Sequence, residues 1–452
     1  EGGTALTAIK KTLCLTVCAL LTLLLSACMF NSSPEEMYEL PHIPEEYAAL
    51  QEKIDELVTA GAEYAAPISG TNIQSVQLVD LDGDGTEEAV AFFRNSTEEK
   101  PLKIYIFRSG HEDYEQAALI ESSGMSIYSV RYVDLDGDGR REILVGWRLS
   151  AELQALGVYA LQGDQVQPLM FSMYSRYEVL DFDEDGRQEV VVLRSDTDGN
   201  SVAEYYDWSG KTLEITSAAP LSMTMAELRS VDMGTLREGE RALFVTGVSE
   251  DTRAITDILI YRDGGVANIV RSDYTGVSSE IFRSISLKPT DIDGDGVTEV
   301  PMPVALPSAV EGSEEVYWQV YWRSYNARGQ GEVAASTYHN TAEGWYLMLP
   351  DTWEGQLAVR QVIGVDERGT IFSRRRGAGE TPEDFLGIYT ITGSSREYKA
   401  VRNNRFVLKR QSSTIYSAVF FGEGTDWSGT INQEELNQRF RLITREWTAG
   451  VN

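Results

Sequence analysis

The sequence predicts a mainly β protein, in which about five four-stranded units form an array and a small α/β domain follows. Three observations lead to this fold class. A short acidic phrase recurs four times in the 452 residues, runs of β-branched and aromatic residues flank it, and the last third of the chain lacks it. Because β-branched and aromatic residues favour strands, each phrase is predicted to be a loop between two strands.

The acidic phrase has the composition of a loop that binds a divalent cation. Each copy places carboxylates at positions 1, 3, 5 and 9 and a glycine at position 6. Hard cations such as Ca²⁺ take six to eight oxygen ligands, and glycine permits the positive φ that makes those oxygens converge. Without an ion, two carboxylates ~4 Å apart near a protein surface repel each other by about 4 kcal/mol. The predicted acidic ligands are Asp80, Asp82, Asp84 and Glu88, then Asp134, Asp136, Asp138 and Glu142, then Asp181, Asp183, Asp185 and Glu189, and finally Asp291, Asp293, Asp295 and Glu299.

The residues around the loops distinguish them from an EF-hand. An EF-hand loop joins two helices and ends in a glutamate at position 12, whereas here the last acid is at position 9. Apolar runs such as 75–79 and 89–93 lie on both sides, and runs of this kind bounded by turns predict strands. Position 2 is predicted to cover the core beneath the ion, because it is apolar in every copy: Leu81, Leu135, Phe182 and Ile292.

The spacing of the loops indicates a repeat. The copies begin at 80, 134, 181 and 291, and the last gap is about twice the others. This predicts a fifth copy, and residues 230–245 keep a strand–turn–strand outline with Asp232 but without the acids at positions 3 and 5. A fixed period of this size is typical of solenoids, propellers or arrays. Each unit has room for four strands, as in a propeller blade; in the first they are predicted at 74–80, 88–94, 101–108 and 114–120.

The pattern Asp-x-Asp-x-Asp-Gly-x-x-(Asp/Glu) between two strands resembles the FG-GAP/VCBS repeats of integrin α-chain propellers and bacterial surface proteins. The resemblance covers about residues 70–335. It implies Ca²⁺ as the bound ion, in about four structural sites, and it adds the backbone carbonyl at position 7 as a ligand. Five such units can close a small propeller or form an open array. The implied carbonyl ligands belong to Thr86, Arg140, Arg187 and Val297.

The ion is expected to hold each hairpin rigid. The alternatives are a regulatory ion switch, and loops that are mostly empty or hold another ion. Affinity is expected around 10⁻⁴–10⁻³ M, the range of extracellular modules.

The beginning of the chain predicts export. Lys10 and Lys11 precede the apolar run 13–25, which ends in Leu25-Ser-Ala-Cys28. A basic segment, a short apolar run and small residues are typical of a secretory signal, and the run is shorter than the ~20 residues of a membrane span. The last four residues resemble the bacterial lipobox. This implies that Cys28 carries lipid and anchors the protein at the outer face of the bacterial cell membrane; the alternative is a plain cleaved signal.

Two segments are predicted between this anchor and the repeats. Residues 29–43 are predicted to be an acidic tether, and residues 44–61 an amphipathic helix. The apolar face of this helix is predicted to dock on the repeat domain, with binding of a partner as the alternative. That face consists of Tyr47, Leu50, Ile54 and Leu57.

Residues 336–452 are predicted to form the α/β domain. Strands are predicted at 356–363, 369–375, 385–392 and 404–421, and a closing helix at 431–447. The phrase from Gly344 to Gly355 resembles a turn of exported Firmicutes lipoproteins, which implies an α/β sandwich similar to PsbP or Mog1. Trp345 and Trp353 are predicted to be core residues, with a ligand groove as the alternative.

Composition and motifs leave two classes of function open. With 39 basic and 70 acidic residues the formal charge is −31, which excludes nucleic acid as a partner because its phosphates need basic patches. No H-E-x-x-H, G-x-S-x-G or P-loop motif is present, and the evident paired carboxylates belong to the loops. The first hypothesis is therefore a non-enzymatic surface module that binds a protein or glycan. The second is an extracellular hydrolase of cell-wall or host glycans, with the repeats as platform.

Overall fold

The computed structural model describes residues 47–110, 113–283, 287–377, 380–422, 427 and 429–443. Strands make up 51% and helices 8% of the described residues, which confirms the predicted mainly β class. Helix α1 groups with the described residues of 109–115 in one compact unit, and the other described residues from Glu63 onward form a second. No helix in the described part of the chain is long and apolar enough to cross a membrane.

Helix α1 (Ala48–Thr59) corresponds to the predicted amphipathic helix. Leu50 and Ile54 are buried, and Tyr47 and Leu57 are half-buried, so the predicted face is the covered one. Gly61 follows the helix at φ +98°, and its N–H donates to the Val58 carbonyl at 3.0 Å. The predicted first residues, 44–46, lie outside the described part, and docking of this face on the repeats stays a prediction.

The first three sheets are antiparallel and follow the chain. The four strands predicted for the first unit are confirmed as β2 to β5, and β1 adds a short fifth strand beside β3. The second and third sheets each contain four strands in sequential order. The strands are β1 (Glu63–Tyr64), β2 (Val76–Val79), β3 (Glu88–Arg94), β4 (Leu102–Ser109) and β5 (Tyr114–Ser122); β6 (Ser126–Val133), β7 (Glu142–Arg148), β8 (Gln154–Gln162) and β9 (Gln165–Tyr174); and β10 (Arg176–Leu180), β11 (Glu189–Ser195), β12 (Ser201–Trp208) and β13 (Leu213–Pro220).

The fourth sheet contains the predicted fifth copy, without an acidic loop. Its turn is shorter: Val79 pairs with Glu88 across eight residues in the first sheet, but Thr235 pairs with Arg241 across five here. Asp232 lies inside a strand, where Lys288 Nζ neutralises it at 2.9 Å. The strands are β14 (Leu228–Thr235), β15 (Arg241–Val248), β16 (Arg253–Arg262) and β17 (Gly265–Asn268), with β18 (Ile281–Arg283) beside β16.

The last two sheets have five strands each. The fifth is β19 (Val300–Leu306), β20 (Tyr317–Tyr325), β21 (Gly331–Asn340) and β22 (Trp345–Met348), joined by the late strand β28 (Phe440–Leu442). The sixth has the order β23-β24-β25-β27-β26, and two short helices accompany it. These elements are β23 (Leu357–Gly364), β24 (Glu367–Arg374), β25 (Glu383–Ile391), β26 (Phe406–Arg410), β27 (Ile415–Phe420), α2 (Arg396–Val401) and α3 (Gln433–Arg439).

The structure differs from the sequence prediction in the last third of the chain. The predicted division at 335/336 falls inside β21, because Tyr338 continues the ladder and pairs with Gln319 of β20. The predicted strand 404–421 is two strands, β26 and β27, separated by a turn in which the Gln411 N–H donates to the Thr414 carbonyl at 2.8 Å. Within the described part of the predicted helix 431–447, only α3 is helical. The chain from Phe440 to Leu442 instead forms β28, which pairs with β22.

Consecutive sheets share hydrophobic cores. One core combines Phe92 and Trp147 from the first and second sheets, and another combines Leu144 and Val190 from the second and third. Similar cores join the third sheet to the fourth, the fourth to the fifth and the fifth to the sixth. Trp345 and Trp353 are buried in the last of these, which confirms them as core residues and excludes the ligand groove. Burial of apolar surface between sheets therefore stabilises the array.

Candidate metal sites

Three of the four acidic loops connect two neighbouring antiparallel strands of a sheet. They join β2 to β3, β6 to β7 and β10 to β11. The fourth begins after Thr290, which pairs with Glu299 in an isolated bridge, and leads into β19. In the first three sheets position 9 opens a strand that is buried along most of its length, so the last acid of each loop is drawn into the core.

Backbone amides fix the acid at position 1. The Asp80 carboxylate accepts the Gly83 N–H at 2.8 Å on Oδ1 and the Gly85 N–H at 3.1 Å on Oδ2. Asp134 and Asp291 accept the corresponding two N–H groups at 2.7–3.0 Å. In the third loop, Asp181 Oδ1 is buried and has no hydrogen-bond partner among the described residues. The loop thus wraps around its first carboxylate, and the glycine at position 6 makes this possible with φ of +88° to +92°.

The glutamate at position 9 is the most buried acid of each loop. The exposed fraction is 1% for Glu88, 4% for Glu142, 1% for Glu189 and 0% for Glu299. In every loop, Oε2 accepts the backbone N–H of position 2 at 2.7–3.1 Å. The side chains at position 2 are buried, which confirms the predicted cover of the core: Leu81, Leu135, Phe182 and Ile292.

This burial has an electrostatic consequence. It raises the pKa of Glu142, Glu189 and Glu299 to about 7. Burial also raises the pKa of Glu88, where the Arg108 guanidinium acts in the opposite direction. The second carboxylate oxygen, Oε1, of Glu189 and of Glu299 is buried without a hydrogen-bond partner in the described part of the chain. Because a buried charge without a partner is costly, a cation at these oxygens fits the site.

The acids converge to different degrees. In the third loop, all four predicted acids offer oxygens within 4.8 Å of one another. In the first and second loops the acids at positions 1, 3 and 9 converge in this way, and in the fourth those at positions 1, 3 and 5. Asp84, Asp138 and Glu299 lie outside these groupings. The donors are all carboxylate oxygens, which suit hard cations such as Ca²⁺ or Mg²⁺.

Position 7 contributes its backbone N–H to the loop. The amides of Thr86, Arg140, Arg187 and Val297 donate to the acid at position 5 at 2.7–2.9 Å. The role of their carbonyls as ligands stays a prediction. The Arg187 side chain also binds the Asp185 carboxylate and lowers its pKa.

One residue near the loops escaped the sequence analysis. Arg108, on β4, reaches the first loop, with Nη2 3.4 Å from Asp82 Oδ2 and Nε 3.7 Å from Glu88 Oε1. The acidic phrase gives no signal for it, because it lies on the next strand. It becomes identifiable once the strands are paired, since Phe107 lies opposite Ala89.

A second candidate site, also absent from the sequence analysis, lies where β6, β10 and β14 begin. Because the acidic loops follow the other ends of β6 and β10, this pocket lies away from them. It has a volume of about 340 Å³. The Tyr174 and Tyr177 rings meet edge to face at 5.2 Å, and Tyr128 lies beneath the Arg148 guanidinium at 5.3 Å. Arg176, Glu178 and Gln154 add polar groups. Aromatic rings with a few charged and amide groups are typical of a ligand pocket.

Comparisons with known proteins identify the repeat type. Residues 80–145, from the first acidic loop to β7, match the model of the FG-GAP-like repeat family. No curated protein sequence matches the chain. Among solved structures, the crystal structure of Sqt1 from Saccharomyces cerevisiae aligns with 69% of this chain and 97% of its own, at 12% identity and a TM-score of 0.22, a likeness too low to assign a fold. The chain therefore carries an FG-GAP-like repeat in its first two sheets.

Proposed function

We propose that this chain is a non-catalytic surface lipoprotein, in which Ca²⁺ holds a β-propeller-like array of sheets rigid so that the array can bind a protein or glycan. The observation that carries the calcium role is the buried glutamate at position 9. Its Oε2 is held by the backbone, and in Glu189 and Glu299 the Oε1 has no partner among the described residues.

The calcium role is structural rather than catalytic or regulatory. Three of the four loops join strands of one sheet, and in every loop the backbone N–H of the buried position-2 residue donates a hydrogen bond to the position-9 glutamate. An ion between the carboxylates would neutralise their repulsion and hold both strands together. Protein that binds an ion only when folded gains stability in proportion to the logarithm of the ion concentration above Kd.

The second candidate site, which we call the tyrosine pocket because Tyr128, Tyr174 and Tyr177 line it, is the proposed place of ligand binding. The rings of Tyr128 and Tyr177 offer apolar faces for a sugar ring or an aromatic side chain, and Glu178 and Arg176 offer hydrogen-bonding groups. The pocket draws on the second, third and fourth sheets, so its shape depends on how rigidly these sheets are held. Calcium in the second and third loops would supply this rigidity.

The cell-surface location rests on the resemblance to a lipobox. Cys28 and the whole predicted signal lie outside the described residues, so lipid attachment remains a proposal. Labelling with a radioactive fatty acid in a bacterial host, with Cys28→Ala as control, tests it: label retained by the variant would contradict the anchor.

The calcium role is tested by removing the acid at position 1. We expect Ca²⁺ to raise the melting temperature of the parent, and to raise it much less in a variant with Asp80, Asp134, Asp181 and Asp291 all replaced by Ala. A matched control replaces four exposed acids outside the loops by Ala and is expected to respond to Ca²⁺ like the parent: Glu99, Glu152, Asp198 and Glu250. Equal responses of the loop variant and the parent would overturn the proposal.

Ligand binding is tested by pull-down with insoluble peptidoglycan and by a glycan panel in millimolar Ca²⁺. We expect binding to fall in Tyr128→Ala/Tyr177→Ala and to persist in Tyr274→Ala, which removes an exposed tyrosine elsewhere. Release of soluble sugar from the same substrates would favour the hydrolase instead. Binding that both variants retain would show that the ligand binds outside the tyrosine pocket.

A further inference from the structure

One end of the sixth sheet carries four exposed apolar side chains on two adjoining elements. Ile363 and Val365 lie at the hairpin between β23 and β24, and Tyr398 and Val401 lie three residues apart on α2. Their exposed fractions range from 57% to 84%. Single exposed apolar residues are common on protein surfaces, whereas a group of them marks an interaction site.

The hairpin has no conformational reason to hold a valine at its turn. Gly364 pairs with Glu367, so the turn consists of Val365 and Asp366 alone, and Asp366 has a φ of +56°. Two-residue turns of this kind favour Asn, Asp or Gly. The most exposed apolar side chain of the group therefore occupies a position where a polar residue would turn the chain more easily.

Polar contacts hold α2 beside this turn. Lys399 Nζ donates to the Val365 carbonyl at 2.5 Å, and Arg402 Nη2 donates to Glu367 Oε1 at 2.8 Å. The hairpin and the helix thus form one continuous surface.

Strand register places two more cations at the same end of the sheet. Glu367 lies opposite Ile391, Ile391 opposite Ile415, and Ile415 opposite Arg410. Arg410 and its neighbour Lys409 are both exposed, and they end their strand on the side where the hairpin turns. We call this end of the sheet, residues 363–367, 396–402 and 409–410, the sheet tip.

The sheet tip is basic, although the chain as a whole carries a formal charge of −31. Residues 396–410 contain six basic residues and one acid. Each acid of the tip lies 2.5–3.7 Å from a cation, and these pairs are Asp366 with Lys399, Glu367 with Arg402, and Glu397 with Arg410. Because basic residues outnumber these acids, the tip keeps a positive excess and attracts an anionic partner.

We propose that the sheet tip docks on an anionic lipid bilayer, where Ile363, Val365 and Tyr398 enter the headgroup region and the cations contact phosphate. Proteins that lie on a membrane combine inserted apolar side chains with Lys or Arg, and tyrosine favours the boundary between lipid and water. Four side chains cover far less than the ~800 Å² per partner of a specific protein interface, which favours lipid over an acidic protein. The inference depends neither on the calcium sites nor on lipid at Cys28.

A polarity-sensitive label at the tip tests this on the full chain. Replacing Cys14, Cys18 and Cys28 by Ser removes every native thiol and any lipid at Cys28, and Val365→Cys then takes a nitrobenzoxadiazole label. We expect its emission to shift to the blue and to brighten severalfold with vesicles of phosphatidylglycerol and phosphatidylcholine, and much less with pure phosphatidylcholine. The matched control is the same label at Val333→Cys, an exposed valine of the fifth sheet, which should not respond.

The contribution of charge is tested with the label kept at the turn. Lys409→Gln/Arg410→Gln should lower the partition coefficient on the phosphatidylglycerol vesicles about tenfold or more, since each basic residue near an anionic bilayer contributes roughly fivefold. The matched control is Arg253→Gln/Arg328→Gln, which removes two exposed arginines outside the sixth sheet and should partition like the parent.

The label distinguishes the sheet tip from general adsorption. No blue shift at the turn, or an equal shift at Val333→Cys, would overturn the proposal, and so would equal losses in the two double charge variants. A shift that grows with protein concentration without vesicles would show that a second copy covers the tip, and would overturn lipid as the occupant. Melting in Ca²⁺ and fatty-acid labelling of Cys28 are measured separately, so failure here leaves the proposed function intact.

Discussion

The backbone N–H of Arg141 donates a hydrogen bond of 2.8 Å to the carbonyl of Leu81, and this contact connects the acidic loops of the first and second sheets. The same relation recurs one sheet later, where the Gln188 N–H donates to the Leu135 carbonyl at 3.0 Å. Leu135 also donates its own N–H to Glu142. In the first two loops, position 2 therefore bonds both to the acid of its own loop and to the next loop, and we expect a change at one site to affect its neighbour.

This link predicts different effects for two substitutions of Glu142. In EGTA, Glu142→Ala leaves the buried Leu135 N–H without an acceptor, which costs about 1–3 kcal/mol of unfolding free energy. It should also lower hydrogen-exchange protection at Gln188. Glu142→Gln retains an oxygen acceptor and should be at least as stable as the parent in EGTA, but should gain less from Ca²⁺. Urea denaturation measures the unfolding free energy of each variant with EGTA and with Ca²⁺. Equal losses in EGTA for the two variants would contradict the link.

The buried glutamates predict an unusual pH dependence without calcium. In the folded protein the pKa of Glu142, Glu189 and Glu299 is about 7, against an ordinary value of 4.5. Between these two values the folded state binds more protons than the unfolded state, so stability falls as pH rises. In EGTA, the free energy of unfolding should thus be higher at pH 5 than at pH 7.5. Ca²⁺ should flatten the fall, because the ion compensates the charges that the protons had neutralised.

Other carboxylates do not reverse this expectation. Asp136, Asp183 and Asp293 also have raised pKa values, because burial disfavours their charge, and they act in the same direction. Asp185 and Glu367 have lowered pKa values, and the stability they contribute is lost only at lower pH. The control is the triple variant with Glu142, Glu189 and Glu299 replaced by Gln, whose pH profile in EGTA should be flatter. A parent that becomes more stable from pH 5 to 7.5 in EGTA would refute the prediction.

Close packing of the first two loops predicts that Gly83 is less replaceable than Gly294. Both glycines stand at position 4 with positive φ, +73° and +88°, so alanine costs about 1–2 kcal/mol of backbone strain at either. A Cβ on Gly83 would also lie 2.7 Å from the Gly139 carbonyl oxygen, whereas nothing lies within 4 Å of one on Gly294. Gly83→Ala should therefore lose clearly more stability than Gly294→Ala in urea denaturation. Similar losses would show that the two loops can move apart at little cost.

The sequence predicted the local part of the architecture because that part is encoded within short segments. The glycine at position 6, the apolar residue at position 2 and the β-branched runs together specify a strand–loop–strand unit, as in β2 and β3. The spacing then located the fourth sheet from the gap before residue 291. Burial of Glu88 and its equivalents follows from the same pattern, because position 9 opens a central strand.

What the sequence did not reveal depends on contacts between distant segments. Arg108 faces the first loop only because β4 pairs with β3. The tyrosine pocket combines residues such as Tyr128 and Leu228, which lie on different sheets. The predicted helix 431–447 was wrong from Phe440 to Leu442 for the same reason: β28 pairs with β22 across about a hundred residues, and no local sequence pattern indicates this partner.

The pairing of β20 with β21 predicts that residues 336–452 do not form an independent domain. Tyr338 lies opposite Gln319, and Trp322 Nε1 donates to Thr337 Oγ1 at 2.8 Å in a buried contact. A fragment starting at 336 would keep part of β21 but lose β20, and would expose a sheet edge together with the buried Trp345. We expect this fragment alone to show little strand signal in circular dichroism and no cooperative unfolding.

Co-expression distinguishes a fragment that lacks only its partner strand β20 from a fragment that cannot fold for another reason. Fragments 47–335 and 336–452 produced together should co-purify, because β21 can complete its ladder on β20. A variant of the first fragment with Trp322→Ala should capture less of the second, since the buried side chain that meets Thr337 is gone. The matched control is Trp208→Ala, a half-buried tryptophan on the third sheet, which should leave capture unchanged. Cooperative thermal unfolding of residues 336–452 on their own would instead show that the chain divides into domains at that point.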